Sequence, residues 1–299
     1  MKVLNLTNFG ESDIKFRISS FPDGQQDITL TSWRFTPNIT DIGSNEVIQI
    51  KSRFNSFKDL ELIICATKAL RRLKVKEIHL YIPYLLGARS DRQFLSGGNS
   101  YLVDVIAPIL NDQDYESVTV MDAHSDVAAA CIKNLNIIDN VNLVKFVITD
   151  IVPPAIGLTQ SIIVSPDAGA MKKIYHVAEG IGYKNDILIA SKHRDVETGR
   201  ILRTDVPLTP EHSNKSFVII DDICDGGRTF IEIAKVIIET YPDARIYLVI
   251  THGIFSAGFE TLSEYFEGIY CTNSVKDIPK LVLNENEHVK TKVTQYNVF

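Results

Sequence analysis

A chain of 299 residues with 45% hydrophobic content is long enough to bury one large core or two ordinary ones. Its 31 basic and 37 acidic residues leave a net charge of −6, which excludes a general nucleic-acid binder because no basic excess displaces counterions from a phosphate backbone. Cys65, Cys131, Cys224 and Cys271 stand far apart with no C-x-x-C pair, so reduced thiols in a cytoplasmic protein are expected rather than a zinc site or a disulfide framework.

The amino-terminal MKVLNLTNFGESD lacks a long apolar core and a small-residue cleavage site. No run approaches the ~20 apolar residues of a membrane span, so neither a targeting signal nor a membrane partner is expected. Between residues 16 and 30, two short extended runs flank Phe21-Pro22-Asp23-Gly24-Gln25, where Pro and Gly predict a turn. Residues 48–50 predict a strand. In 57–73, Leu60, Ile63, Ile64 and Leu70 recur at helical spacing. A strand over 77–83 then leads to YLLGARSDRQFLSGGN, where Arg89, Asp91 and Arg92 cluster after a strand end. Guanidinium groups there could hold phosphate oxygens bidentately; a solvated surface is the plainer alternative. A helix over 101–110 and a strand over 117–121 deliver Asp122 and His124 to a strand terminus, a position open to metal binding or catalysis.

Residues 140–157, with Pro153 and Pro154, read as the passage between two domains, 1–145 and 146–299. A strand over 161–164 presents Ser165-Pro166-Asp167-Ala168-Gly169 before a helix through Ala178. Another, over 186–190, leads into Ser191-Lys192-His193-Arg194 and a polar segment reaching Pro207. That segment reads either as a mobile flap or as a solvated loop. Next comes SFVIIDDICDGGRTF at 216–230, in which a β-branched run passes through three aspartates and two glycines into a helix over 229–240. Backbone amides at such a strand–loop–helix junction form a concave donor site for a phosphate. Asp221 and Asp222 beside it would repel an anion unless they bind sugar hydroxyls or a divalent cation, and a sugar phosphate satisfies both parts. A strand over 245–250 and Thr251-His252-Gly253-Ile254-Phe255-Ser256 follow. Strands alternating with helices in both halves predict two doubly wound, parallel-sheet α/β domains.

The 221–229 loop resembles the ribose-phosphate loop of the type I phosphoribosyltransferases, D-D-x-x-D-T-G-G-T, through Asp221, Asp222, Asp225, Gly227 and Thr229. Seven elements in order then resemble the ribose-phosphate diphosphokinases over nearly the whole chain. They are Phe21 to Gly24, Ala88 to Arg92, Asp122-x-His124, Ser165-Pro166-Asp167, Lys192-x-Arg194, the phosphate loop, and Thr251 to Ser256. The resemblance implies phosphoribosyltransferase-like domains and a Mg²⁺-dependent transfer of the β,γ-diphosphoryl group of ATP to the anomeric hydroxyl of ribose 5-phosphate, leaving AMP. It further implies that Phe21, Asp23 and Gln25 hold adenine, from a neighbouring subunit of a homo-oligomer. Arg89, Asp91 and His124 would serve the ATP side, and His124 and Asp167 would be metal-associated. Lys192 and Arg194 would be the catalytic cations of a closing flap. Asp221 and Asp222 would meet the ribose hydroxyls, and the Asp225, Gly226, Gly227, Arg228 and Thr229 amides the 5-phosphate.

The chain departs from that pattern in several places. Gln25 stands for a glutamate, Ser90 for a glutamine, and residues 93–98 lack the arginines of a regulatory loop, which argues against feedback by ADP or activation by phosphate. Gly226 stands for threonine and Arg228 for glycine or another small residue. The first opens space and the second adds a cation, as a 5-substituted ribose phosphate such as ADP-ribose would need. A silent regulatory subunit would be expected to lose Lys192, Arg194 or His124. A phosphoribosyltransferase would not need the Ala88–Arg92 and Asp122–His124 elements.

Overall fold

Strands and helices alternate in space as they do in sequence, in a computed structural model that describes residues 1–7, 10–31, 42, 45–151, 158–194, 201–279 and 291–299. Two compact units result, Met1–Asp139 with Val298–Phe299, and Asn140–Asn297.

In the first unit, β1 (Lys2–Asn5) is followed by an antiparallel hairpin of β2 (Lys15–Ser20) and β3 (Gln26–Thr31), then by β4 (Val47–Lys51). Helix α1 (Phe57–Arg72) starts where Ser56 accepts the Asp59 amide, 3.3 Å, and buries Leu60, Ile63, Ala66 and Leu70 at the spacing of one face. After β5 (Glu77–Tyr81), the helix expected over 101–110 is split. A π-helical turn at Leu102–Ile106 gives way to α2 (Ala107–Asn111) at Pro108, which has no N–H to donate. Strand β6 (Ser117–Met121), α3 (Val127–Cys131) and β7 (Leu135–Ile138) complete a parallel sheet in the order β1-β4-β5-β6-β7.

The second unit begins with α4 (Val141–Ile151), where the sequence reading had only an interdomain passage and a boundary at 145/146. Leu143, Val144, Val147 and Ile148 form an apolar stripe and are buried, so the segment is a packed helix rather than a linker. Pro153 and Pro154 lie outside the described residues. Next come β8 (Ser161–Ser165), α5 (Met171–Gly180), β9 (Ile187–Ile189) and an antiparallel ribbon of β10 (Ser191–Arg194) and β11 (Ile201–Asp205). The polar segment after Ala190 therefore has paired ends; residues 195–200 are outside the described residues. Strand β12 (Ser216–Cys224), α6 (Arg228–Thr240), β13 (Arg245–Gly253), α7 (Glu260–Ser263), β14 (Gly268–Thr272) and β15 (Lys292–Tyr296) follow.

Every pairing in this six-stranded sheet is parallel, and its order is β15-β14-β13-β12-β8-β9. Alternate residues of each strand feed opposite faces. Ile162, Val164, Phe217, Ile219, Leu248 and Ile250 pack with α6, and Ile163, Val218, Ile220, Tyr247 and Val249 pack with α4 and α5. Helices on both faces explain why these strands read as continuous apolar runs instead of alternating ones. The chain winds from β8 outward to β9, then returns to β12 and proceeds the other way. The reversal falls between β8 and β12, where ligands of open α/β sheets bind, at the carboxyl ends of the strands.

Among the described residues, no helix is long and apolar enough to cross a membrane. All four cysteines are free thiols. Burial pushes the Cys271 thiol up to about 12, and burial with the nearby Asp221 and Asp225 charges pushes Cys224 well above its ordinary range. Both should therefore resist a disulfide reagent at pH 8 in the native protein and react after denaturation; mass-resolved labelling that found either modified in the folded state would contradict this.

Candidate active site

In the second unit the two loops at the winding reversal are the ones carrying candidate chemistry. Strand β8 ends in Ser165-Pro166-Asp167, and β12 ends in Asp221-Asp222 and the loop to α6. The structure brings Asp167, Lys192, Asp221 and Asp222 into one neighbourhood. Asp167 Oδ1 accepts the Gly169 and Ala170 amides at 3.0 and 3.1 Å, which holds its carboxylate at the start of α5. Its Oδ2 receives Lys192 Nζ at 3.2 Å, with the lysine side chain only 9% exposed and the aspartate 49%. Lys192, placed by sequence in a segment outside any element, thus sits in β10 and is paired with the expected metal-associated aspartate. Arg194 is the last residue of the same strand, paired in register with Ile201; its side chain lies outside what the structure describes.

Asp222, with 7% of its side chain exposed, is paired to Lys173 Nζ at 3.2 Å. Sequence reasoning missed this lysine. One of two adjacent lysines in a helix normally reads as a solvated face, and only the β8–β12 adjacency aims α5 at the second loop. Burial first, then the charge of Asp222, raises the Asp221 carboxyl well above the usual carboxylate range, with Asp167 adding to the effect. With Asp222 held by Lys173, Asp221 is the carboxyl of the pair that resists ionisation.

The loop between β12 and α6 has the expected strand–loop–helix form. Gly227 is the residue before α6, with φ +79°, and its carbonyl accepts the Phe230 and Ile231 amides at 3.0 and 3.1 Å. A Cβ there would lie 2.9 Å from Leu262 Cδ2, whereas one at Gly226 would meet nothing nearer than Ser256 Oγ at 3.9 Å. Asp225 is half-buried, and its carboxylate accepts the Ser256 hydroxyl at 2.6 Å. Arg228 is exposed, Thr229 half-buried. Beside the loop, Gly226, Arg228, Lys235, Gly258 and Thr261 line part of a cavity of about 230 Å³.

In the first unit, Phe21, Asp23 and Gln25 share the β2–β3 turn. The Phe21 amide donates to Gln25 O, the Gly24 amide to Phe21 O and the Gln25 amide to Asp23 Oδ1. This closed turn leaves the Phe21 ring 50% exposed. Arg89 is exposed on the loop after β5. Asp91 accepts the Ser125 hydroxyl at 2.5 Å, tying that loop to the one bearing Asp122 and His124. Asp122 is buried with φ +39°, a left-handed conformation that turns the chain directly after β6, and His124 beyond it is exposed. No three His, Cys, Asp or Glu side chains among the described residues are grouped to hold a metal ion alone.

A family described as phosphoribosyl transferase domain matches residues 135–264. The chain is 25% identical over 276 residues to the ribose-phosphate pyrophosphokinase of Thermococcus kodakarensis, covering 90% of this chain and 89% of the relative. It is 24% identical over 266 residues to that of Pyrococcus furiosus, covering 86% and 85%. The structure of phosphoribosylpyrophosphate synthetase from Mycobacterium smegmatis superposes with a TM-score of 0.73 at 16% identity, over 95% of this chain and 86% of that one. Sheet, winding reversal and phosphate loop thus define an α/β protein of the phosphoribosyltransferase type. Similarity extends through both units, so over most of its length the chain is similar to the ribose-phosphate pyrophosphokinases, which supports a transferase of the diphosphokinase type.

Proposed function

We propose that the protein transfers the β,γ-diphosphoryl group of ATP to the anomeric hydroxyl of ribose 5-phosphate. The hydroxyl oxygen bonds to the β-phosphorus, the bond from that phosphorus to the α-phosphate oxygen breaks, AMP leaves, and the hydroxyl proton is lost. The observation that carries this reading is the meeting, at the winding reversal, of a glycine-bearing loop before a helix with a carboxylate pair and a nearly buried lysine. Backbone amides of Asp225 to Thr229 suit the 5-phosphate, and Asp221 and Asp222 suit the two ring hydroxyls. Lys192 and Arg194 carry charge that would offset the negative charge gathering on the diphosphoryl oxygens.

The donor set fits Mg²⁺. A hard cation takes oxygen ligands, is held by one or two carboxylates together with substrate phosphates, and would let Asp221 and Asp222 ionise together. Asp167 is the further candidate for holding it in this unit, and His124 is the first unit's own metal candidate. Bound there, Mg²⁺ would supply Lewis-acid stabilisation of the polyphosphate. On the ATP side, Arg89 and Asp91 would meet the phosphates, and the exposed Phe21 with Asp23 and Gln25 would hold adenine. A half-exposed aromatic ring on a closed turn suits an adenine site shared with a second copy in a homo-oligomer. Free thiols and small-molecule substrates accord with a cytoplasmic enzyme.

A second reading has its own support. The open space at Gly226 and the cavity holding Arg228 and Lys235 adjoin the phosphate loop, so an acceptor extended beyond its 5-phosphate, such as ADP-ribose, would find a cation and room. The cavity is below the ~300 Å³ at which drug-sized pockets begin, so it would seat a second phosphoryl group and leave a nucleoside outside. Incubation with Mg²⁺-ATP and each acceptor separately, following AMP and product mass, decides. Turnover of ribose 5-phosphate alone supports the first reading, turnover of ADP-ribose alone the second, and no AMP with either removes both.

A further inference from the structure

The residues just beyond β13 are strapped onto the phosphate loop. The Ile254 and Phe255 amides both donate to Cys224 O, at 2.9 and 3.1 Å, and the Ser256 amide donates to Asp225 O at 3.2 Å. The Ser256 hydroxyl adds a 2.6 Å hydrogen bond to Asp225 Oδ1. The strap is not a relaxed turn. Phe255 has φ +45°, and its buried ring packs on Phe259 with centroids 4.6 Å apart. A Cβ at residue 253 would lie 2.1 Å from the Phe255 ring, so the ring's path requires Gly253. Behind it, buried His252 Nδ1 is 2.8 Å from Ser274 Oγ, anchoring the end of β13 to the segment after β14. A left-handed non-glycine residue persists only where the surroundings fix it, and here they fix the position of one exposed hydroxyl.

We propose that Ser256 is a positioning residue of the acceptor site, acting through Asp225. A carboxylate beside a nest of amides is itself an anion that competes for their N–H groups and repels an incoming phosphate. Hydrogen bonding to Ser256 keeps the Asp225 carboxylate in one orientation, and the three strap amides hold the backbone on which the nest is built. Ser256 is exposed, and replacing its side chain removes the hydroxyl tie while leaving its amide on Asp225 O, so the substitution tests the loop's organisation without opening the core.

The inference rests on the acceptor reading above, and the test separates the two. Ser256→Ala should raise the acceptor KM about tenfold, the scale of one charge-assisted hydrogen bond, with kcat and the KM for ATP within about twofold of wild type. Ser256→Thr, which keeps the hydroxyl, should restore the acceptor KM. In the ligand-free protein, hydrogen exchange of the 225–229 amides should accelerate in the alanine variant and not in the threonine one, a readout that needs no activity. An unchanged acceptor KM, unchanged exchange, or an equal fall in kcat and rise in ATP KM overturns the proposal. If wild type turns over neither acceptor, the acceptor reading has failed and the exchange arm alone decides on the strap.

Discussion

Replacing Lys192 by alanine is expected to lower turnover by a factor of about 10²–10³, the scale of one preorganised donor aimed at developing charge. ATP binding, measured by titration with a nucleotide analogue, should stay near wild type. The structure also says what the substitution should not do. Lys192 lies in β10 with its ammonium on Asp167 at 3.2 Å, but Asp167 is half-exposed and keeps the Gly169 and Ala170 amides as donors. Its carboxylate is therefore not stranded, and losing the pair should cost little stability. Thermal unfolding should shift by little, so a large fall in kcat would report chemistry rather than folding. Lys192→Arg keeps the charge but replaces a compact ammonium with a planar fork, and should recover part of the rate. A variant Lys192→Ala with wild-type kcat would remove this lysine from the mechanism.

The pairing of Lys192 with Asp167 changes how the site is pictured before ligand arrives. From sequence, the lysine belongs to a polar segment whose charge arrives on closure. In the structure the loop carboxylates already have lysine partners, Asp167 with Lys192 and Asp222 with Lys173. Anionic substrate and a cation entering this region would exchange with those internal counter-ions rather than fill a bare acidic cluster. On the proposed reading, that exchange would favour joint entry of metal and phosphate, since either alone would leave some charge uncompensated.

What the sequence made legible were the parts governed by local chemistry. The β12 run, its aspartates and glycines and the start of α6 can be read within fifteen residues, because strand, nest and helix start each have a composition of their own. The adjacency of β8 and β12 cannot. About fifty residues of helix, strand and ribbon separate them, and parallel pairing leaves no local mark. Lys173 and the Lys192–Asp167 pair follow from that adjacency and were hidden with it. Helix α4 was hidden for another reason: Pro153 and Pro154 gave a strong loop signal that outweighed the stripe of Leu143, Val144, Val147 and Ile148 before them. The Ser256 strap is invisible locally too, since its left-handed residue is a phenylalanine, a type that signals no turn.

Gly227→Val is expected to remove most acceptor binding and to destabilise the protein by ~1–3 kcal/mol, the cost of holding a non-glycine residue in a sparsely populated conformation. With φ +79°, Gly227 directs the loop amides and supplies the carbonyl that receives the first donors of α6. A β-branched residue either stays in the left-handed region under strain or leaves it and turns those amides away from a common centre. The contact at 2.9 Å from Leu262 Cδ2 adds little, because it involves the far end of a flexible side chain. Backbone conformation should therefore dominate, and Leu262→Ala should fail to rescue binding. Gly226 is the internal control. It is outside the left-handed range and has no neighbour nearer than 3.9 Å to an added Cβ, so Gly226→Ala should bind acceptor within about threefold of wild type and melt within ~0.5 kcal/mol of it. Thermal unfolding with and without acceptor, run on both variants, checks the contrast. Normal acceptor binding by a folded Gly227→Val protein would show that the phosphate is cradled elsewhere, and a loss in Gly226→Ala equal to that in Gly227→Val would show that the two positions act by filling space rather than by aiming the backbone.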